Sequence, residues 1–329
     1  MKILVTGVAG FMGSHVLRHL LISTDWEIVG IASFAHKGRS ARITKQLDGL
    51  DKSRFKLVLH DLTAPITANI ASEIGPIDYV LNIASESHVD RSIDVPRPFI
   101  ENNTKLILTM MEYTKEYPVK KFIHISTDEV YGPANDHNHR EGEAHRPSNP
   151  YSASKSVQES ICFAYWRTYG LPIVITNTMN IIGEMQDSEK FVPLVINKVL
   201  NGETMSIHAS PDGVIGSRYY LHARNQADAL LYLLKNHNPT KYPADDIDRF
   251  NIVGDYELDN LNMANKIANI IDKPLRFELV DFHSSRPGHD LRYGLDGDKM
   301  KRLGWKAPFS LDESLRTTVE WSMNNRDWQ

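Results

Sequence analysis

A tyrosine and a lysine four positions apart, Tyr151 and Lys155, lie at the start of residues 151–168, which have the apolar spacing of a helix. On a helix this spacing puts both side chains on one face. A lysine ammonium beside a phenol lowers the pKa of the phenol, so we expect Tyr151 to be a usable base near neutral pH. Because the pair also occurs by chance on many helices, the prediction depends on residues elsewhere in the chain.

One hydroxyl and two carboxyl groups, on Thr127, Asp128 and Glu129, directly follow a predicted strand at 121–126. The hydroxyl can hydrogen-bond the same substrate oxygen as Tyr151, and two carboxyl groups can serve as acid and base when their environments separate their pKa values. Neighbouring side chains on a strand point to opposite faces. Both acids can therefore reach one substrate only if the backbone has left the strand at that point. Without the tyrosine and the lysine, these residues would indicate only an acidic turn.

Three glycines lie between the first predicted strand, at 3–5, and a helical segment. Gly7 permits a tight turn, Gly10 lets the backbone approach a pyrophosphate, and Gly13 lets the helix pack close to the strand. The helix N-terminus adds amide donors for the phosphates. The sequence therefore predicts a dinucleotide-binding turn, with a purely structural turn as the alternative. The two residues inside the turn are added to the predicted cofactor contacts: Phe11 and Met12.

The segment after the second predicted strand, 30–42, contains no acidic residue. An acid at this point normally binds the ribose 2′-hydroxyl of NAD. Ser33, Lys37, Arg39 and Arg42 could instead surround a 2′-phosphate with donors and positive charge, which favours NADP over NAD. The alternative for each residue is a solvated basic loop.

Two further cofactor contacts follow the third predicted strand, at 55–59. They are Asp61 and Leu62. Asp61 could bond the adenine amino group or cap the turn that follows.

Strands and helices alternate over the first half of the chain, which predicts an α/β fold with a parallel sheet covered on both faces. We expect a Rossmann-type doubly wound parallel sheet with a smaller mixed α/β C-terminal substrate domain. The alternation breaks near residue 183 and is resumed briefly by a helix at 224–235 and a strand at 250–253. The predicted dinucleotide-binding domain is 1–182 with 219–255, and the predicted substrate domain is 183–218 with 256–329.

The composition is that of a globular protein, with 329 residues, 41% hydrophobic and 24% charged. A formal net charge of -4 gives no overall positive field, so we expect neither nucleic acid nor membrane partners. The single cysteine, Cys162, excludes an internal disulfide and a thiolate zinc cage within one chain. A cytoplasmic location fits best, because the apolar run at the N-terminus is too short for a signal peptide.

Two histidines lie in the polar segment 136–140, His137 and His139. They indicate a metal only weakly, because no third ligand at motif spacing is nearby. A solvated loop is favoured, and no metal site is predicted.

The chain resembles the extended short-chain dehydrogenases/reductases, and within them the nucleoside-diphosphate-glucose 4,6-dehydratases. The Thr-Asp-Glu triplet separates dehydratases from the epimerases and decarboxylases that share the glycine turn and the Tyr-Lys pair. Other matching residues extend almost to the end of the chain: 85–90, 189–190 with Pro193, Arg218, Asn251, 286–290, 292–293 and Trp321.

The resemblance implies roles for the catalytic residues. Tyr151 takes the proton of the sugar C4 hydroxyl as hydride leaves C4, Glu129 is the base at C5, and Asp128 protonates the departing C6 hydroxyl. Hydride then returns to C6, so the cofactor should stay bound and be recycled. The implied substrate-binding residues are Ser87, His88, Asn180, Glu189, Lys190, His208, Arg218, Asn251, Arg286 and His289.

The resemblance also implies a homodimer, formed by the helices predicted at 98–116 and 151–168. Ile207 and His208 resemble the UDP-glucose branch, so UDP-glucose is the expected substrate and dTDP-glucose the alternative. Two other activities stay open, a 4-epimerase and a UDP-glucuronate decarboxylase, neither of which needs both Asp128 and Glu129. A nucleotide-sensing Rossmann protein without catalysis is a third alternative.

Overall fold

A seven-stranded parallel sheet dominates the computed structural model, which describes residues 1–35, 37–281 and 290–328. Its strands are β1 (Lys2–Thr6), β2 (Glu27–Ala32), β3 (Phe55–Leu59), β4 (Tyr79–Asn82), β5 (Lys121–Thr127), β6 (Ile173–Thr178) and β10 (Asp248–Ile252). Their order is β10-β6-β5-β4-β1-β2-β3. The order reverses between β1 and β4, and such a switch point is where ligands bind in open α/β sheets.

Helices cover both faces of this sheet, which explains why its strands are nearly continuous apolar runs. One face packs against α1 (Phe11–Ser23) and α8 (Ala223–Asn236). The other face packs against α3 (Ala68–Ile74), α5 (Pro96–Glu116) and α6 (Pro150–Tyr169). The predicted doubly wound Rossmann-type sheet is confirmed.

The helix that carries the predicted tyrosine and lysine has strong signals at both ends. Asn149 accepts a hydrogen bond from the Ser152 amide, Ser152 bonds back to the Asn149 amide, and Pro150 occupies the first turn. Gly170 ends the helix in the left-handed conformation. Such an N-cap contributes about 1 kcal/mol, and it fixes the first turn of α6, which contains Tyr151.

Two smaller sheets complete the fold. One joins β7 (Asn180–Ile182), β9 (Ser217–His222) and β11 (Glu257–Asp259), and the other joins β8 (Thr204–Ala209) and β12 (Arg276–Asp281). Their core is shared with α7 (Phe191–Asn201), α9 (Asn260–Ile271) and α11 (Leu311–Asn324). This is the predicted mixed α/β unit. The chain returns to the large sheet through α8 and β10, and the exact domain boundaries stay a prediction.

The remaining helices are short: α2 (Ser40–Gln46), α4 (Val89–Asp94) and α10 (Asp298–Leu303). Among the described residues, no helix combines the length and the apolar character needed to cross a membrane.

Candidate active site

A cleft of about 770 Å³ opens at the carboxyl ends of the central strands. Its lining runs from the glycine turn after β1, through residues 83–90 after β4, to the segment after β5, and continues onto β8 and β9. All five residues predicted to be catalytic line it: Thr127, Asp128, Glu129, Tyr151 and Lys155.

Asp128 begins a 3₁₀ turn, Asp128–Tyr131, directly after β5. The backbone therefore leaves the strand at Asp128, which is the condition for both Asp128 and Glu129 to reach one substrate. The Asp128 side chain is buried and accepts a hydrogen bond of 2.9 Å from the Thr127 hydroxyl. Burial, helped by the charge of Glu129, raises the pKa of Asp128 to about 7. Near neutral pH Asp128 is thus protonated in a large fraction of molecules, as a general acid must be.

Glu129 has different surroundings. Its Oε2 accepts a hydrogen bond of 3.0 Å from the Asn149 amide and lies 3.5 Å from the Tyr293 hydroxyl. Burial lowers the pKa of Lys190, whereas the negative charge of Glu129 opposes this lowering. The Lys190 ammonium and the Glu129 carboxylate therefore attract each other. An amide donor and an ammonium therefore orient and stabilise the Glu129 carboxylate.

Tyr151 and Lys155 lie on one face of α6, as predicted, but their electrostatics differ from the prediction. Burial raises the pKa of Tyr151, and the Glu129 charge adds to this, while a hydrogen bond with Thr127 opposes it. The Lys155 ammonium donates to the Ile125 carbonyl and to the Gln158 side chain, both at 2.7 Å. The expected lowering of the tyrosine pKa by Lys155 is therefore wrong for this structure, because the lysine charge is directed away from the phenol.

The glycine turn fits a dinucleotide closely. Gly7 has a φ of +68°, and a Cβ there would lie 2.9 Å from the Ala84 Cα. A Cβ on Gly13 would overlap the Gly7 carbonyl. The N-cap residue of α1 is Gly10, which has no side chain that could accept from the first amides of the helix. These amides therefore remain available to a phosphate. Two residues of that first turn line the same cleft: Phe11 and Met12.

At the adenosine end, Arg42 does not have the predicted role. Its buried guanidinium donates to the carbonyls of Met185 (3.1 Å) and Lys37 (2.8 Å) and to the Asp187 carboxylate (2.9 Å). Arg42 therefore holds α2 against the loop after β7 and is not free to bind a 2′-phosphate. Isolated buried charges are costly, so this internal pairing is what permits a buried arginine here.

The other predicted 2′-phosphate contacts also have acidic or local partners. The Lys37 ammonium lies 2.6 Å from a Glu189 oxygen, and Arg39, half exposed, lies 3.9 Å from Asp187. The Ser33 hydroxyl accepts from the Ala35 amide. Basic residues are present, but acids compensate them, which weakens the argument for NADP.

Asp61 and Leu62 line the cleft after β3. Asp61 caps its own turn by accepting from the Thr63 amide at 2.9 Å.

The predicted substrate residues fall into three groups. Those that line the cleft are Ser87, His88, Asn180, Glu189, Lys190, His208 and Arg218. Asn251 is buried outside the cleft lining, where its amide donates to the carbonyls of His139 and Asp296, so its assignment to the substrate is corrected to a structural one. Arg286 and His289 lie outside the described residues.

Arg218 is held firmly at the edge of the cleft. Its guanidinium donates to the carbonyls of Leu291 (2.6 Å) and Asp290 (2.9 Å) and lies 4.5 Å above the centre of the Tyr293 ring. The segment that follows residue 289 therefore orients this arginine.

Two residues that contact Glu129, Asn149 and Tyr293, were not predicted from the sequence to do so. Asn149 could have been found as a polar residue before Pro150, a typical N-cap signal, although its bond to Glu129 could not. Tyr293 is 164 positions from Glu129 in the chain, and no local pattern connects such residues.

The raised pKa of Asp128 leads to a prediction about stability. Its value of about 7 in the folded state exceeds the ordinary 3.8, so the folded protein binds more protons than the unfolded chain between these values. The contribution of Asp128 to the free energy of unfolding should therefore fall as the pH rises from about 4 to 7, by up to about 4 kcal/mol. Asp128→Asn should lack this contribution and be more stable than the parent at pH 8, as measured by urea unfolding. Asp25→Asn, at an exposed position, is the control, and an equal pH dependence in parent and Asp128→Asn would contradict the prediction.

Comparisons with known proteins give a consistent result. The family model described as GDP-mannose 4,6 dehydratase matches residues 4–318. A probable dTDP-glucose 4,6-dehydratase from Sinorhizobium fredii is 35% identical, over 100% of this chain and 94% of the relative.

Solved structures agree with this result. A dTDP-glucose 4,6-dehydratase from Streptomyces venezuelae, solved with NAD bound, has a TM-score of 0.88 at 31% identity and covers 100% of this chain and 98% of its own. A UDP-glucuronic acid 4-epimerase mutant from Bacillus cereus, with a TM-score of 0.86 at 24% identity, covers 98% and 99% respectively and shares the fold.

Proposed function

Because the chain belongs to the nucleoside-diphosphate-sugar 4,6-dehydratases of the extended short-chain dehydrogenase/reductase family, we propose that it converts dTDP-glucose to dTDP-4-keto-6-deoxyglucose with NAD. The observation that carries this proposal is the pair Asp128 and Glu129. Asp128 is buried and has a pKa of about 7. Glu129 accepts a hydrogen bond from the Asn149 side-chain amide and is attracted by the Lys190 ammonium. An elimination of water needs one acid and one base in this arrangement.

Oxidation at C4 begins the reaction. The glycine turn would hold the dinucleotide, and a nicotinamide bound there would supply the hydride acceptor for C4 and the hydride donor for C6, while its positive charge would favour ionisation of Tyr151. In its ionised form Tyr151 takes the proton of the C4 hydroxyl, and Thr127, which shares a hydrogen bond with Tyr151, keeps the phenol oriented. The ketone at C4 makes the C5 hydrogen acidic.

Elimination follows at C5 and C6. Glu129 removes the C5 proton, and Asp128 gives its proton to the C6 hydroxyl, which leaves as water. After hydride reaches C6, Glu129 returns a proton to C5. The net change is the loss of one water molecule, with no net oxidation.

The choice of NAD rests on the adenosine end of the cleft. Arg42 is engaged with Met185, Lys37 and Asp187, and Lys37 is paired with Glu189. A 2′-phosphate would have to compete with these carboxylates, whereas a 2′-hydroxyl needs no positive charge. The Streptomyces relative with NAD bound supports the same choice.

The choice of dTDP-glucose rests on the relatives, which are 31–35% identical over the whole chain. UDP-glucose is the second candidate, and one observation favours it. His208, which together with Ile207 resembles the UDP-glucose branch, lies on the cleft wall. The experiment therefore includes both sugar nucleotides.

The test is incubation of the purified protein with dTDP-glucose or UDP-glucose in D₂O, followed by NMR. We expect a 4-keto-6-deoxy product with deuterium at C5, and a larger kcat/KM for dTDP-glucose. A larger value for UDP-glucose would overturn the choice of nucleotide and leave the reaction type intact. Inversion at C4 without loss of water would overturn the reaction type.

The homodimer through α5 and α6 stays a prediction. These helices pack together, and four large apolar side chains on them are exposed: Ile100, Leu108, Val157 and Tyr169. Such side chains would be covered in a four-helix bundle, and sedimentation equilibrium measures the stoichiometry.

A further inference from the structure

The loop between the 3₁₀ turn and α6 brings three potential metal ligands together: His137, His139 and Glu143. The ligand atoms all lie within 4.8 Å of one another. Glu143 Oε2 is 3.1 Å from His137 Nε2 and 2.7 Å from His139 Nδ1. Glu143 is the third ligand that the sequence pattern alone did not connect to the two histidines.

The hydrogen bonds of His139 determine which of its nitrogens can bind a cation. Its Nε2 lies 3.3 Å from the Pro133 carbonyl, and its Nδ1 lies 2.7 Å from a Glu143 oxygen. Nδ1 is therefore the nitrogen that faces the carboxylate, and a metal ion bound there would replace the proton that the two groups share. A backbone carbonyl on the far nitrogen is also the usual arrangement for a metal-binding histidine.

The cluster is held in place by the surrounding backbone. The His139 amide donates to the Gly294 carbonyl, and its own carbonyl accepts from the Asp296 amide. The His139 ring stacks on Tyr131 with 5.4 Å between ring centres. The Arg140 amide donates to Glu143 Oε1 at 2.9 Å. These contacts fix two of the three ligands, His139 and Glu143. Only His137 is largely exposed and free to adjust.

Nearby charges leave room for a cation. The Arg140 guanidinium lies 3.2 Å from Asp296, so a carboxylate already offsets its charge.

We propose that His137 Nε2, His139 Nδ1 and Glu143 Oε2 bind one divalent transition-metal ion of the Zn²⁺ type, with water as the fourth ligand. Two imidazoles and one carboxylate suit zinc rather than Mg²⁺ or Ca²⁺, which prefer oxygen ligands. A tetrahedral site with ligand bonds of about 2.1 Å separates its ligand atoms by about 3.4 Å. The two separations from Glu143 Oε2, 3.1 Å and 2.7 Å, need to open by less than about 1 Å, and the exposed His137 side chain can adjust its distance to His139 Nδ1.

The ion would act as a structural clamp. His139 packs on Tyr131, which ends the turn that begins with Asp128, and its backbone is bonded to residues 294 and 296. Metal binding would therefore connect the catalytic turn to the C-terminal part of the chain. It stabilises the folded protein, because the unfolded chain does not hold the three ligands together.

The test uses untagged protein, freed of metal with a chelator and dialysed. Titration with ZnCl₂ in a calorimeter should give one ion per chain, and CoCl₂ should give the visible absorption of tetrahedral cobalt. Glu143→Gln and His137→Ala should each weaken Zn²⁺ binding by about 100-fold. The control is Asp136→Asn, at an exposed position of the same loop, and it should bind like the parent.

Each other outcome overturns the proposal. Absence of binding at millimolar Zn²⁺ would mean that protons alone bridge the histidines and Glu143. Undiminished binding in both ligand variants would mean that the ion binds elsewhere on the chain. Because His137 is exposed, its variant should fold normally, and circular dichroism verifies this.

Discussion

The Glu129→Gln variant should lose 4,6-dehydration and keep its cofactor and substrate binding. Glutamine has the same shape, and its amide oxygen can still accept from Asn149, which lies 3.0 Å from Oε2 in the parent. It cannot take a proton from C5. Removing a positioned base costs about 10²–10⁴ in rate, so we expect kcat to fall by that factor with KM nearly unchanged.

Incubation in D₂O tests this directly, because loss of the base should also abolish deuterium incorporation at C5. Oxidation at C4 should persist and appear as reduced cofactor that accumulates on the protein. Glu73→Gln, on the exposed side of α3, is the matched control and should retain parental kcat. If Glu129→Gln still formed the 4-keto-6-deoxy product at more than a tenth of the parental rate, another group would have to be the base.

The Gly13→Ala variant should lose its bound dinucleotide. The new Cβ would overlap the Gly7 carbonyl oxygen and lie 2.8 Å from the carbonyl carbon and 2.9 Å from the Val8 Cα. These are backbone atoms, so only a shift of α1 away from β1 relieves the clash. Overpacking of this kind costs about 1–3 kcal/mol, and the shift also moves the amides that face the pyrophosphate. We expect a lower melting temperature and purified protein nearly free of nicotinamide.

Gly38→Ala is the control for this change. The nearest atom to its Cβ would be the Ala9 Cβ at 3.4 Å, an ordinary van der Waals contact in the same part of the cleft. This variant should keep both its cofactor and its melting temperature. A full complement of nicotinamide in Gly13→Ala would show that the close approach of α1 to β1 is not needed.

The strands of the large sheet could be predicted because short stretches of the sequence indicate each of them. Residues 3–5 and 173–175 are buried apolar runs, and buried strands of parallel sheets need no alternation. The position of the candidate catalytic residues in one cleft could be predicted for a similar reason, since Thr127, Asp128 and Glu129 end or follow one strand and Tyr151 starts one helix.

What could not be predicted depends on contacts between distant residues. The sequence around Arg42 does not show whether its side chain faces solvent, a phosphate or Asp187, and only the fold decides among them. Tyr151 lies in the cleft as expected, but its pKa is raised and not lowered, because the Lys155 ammonium is bonded to the Ile125 carbonyl. β8 and β12 were missed because they pair residues that are 72 positions apart in the chain, and no local pattern joins such residues.

Asn149 places an unusual restriction on one position of the chain. Its oxygen accepts from the Ser152 amide and its nitrogen donates to Glu129, so one side chain sets both the start of α6 and the orientation of the base. Aspartate would keep the first contact and put a second negative charge beside Glu129. Serine would keep the cap and be too short to reach the carboxylate. Neither substitution therefore preserves both contacts of Asn149, which joins the start of α6 to the Glu129 carboxylate although no step of the proposed reaction uses its side chain.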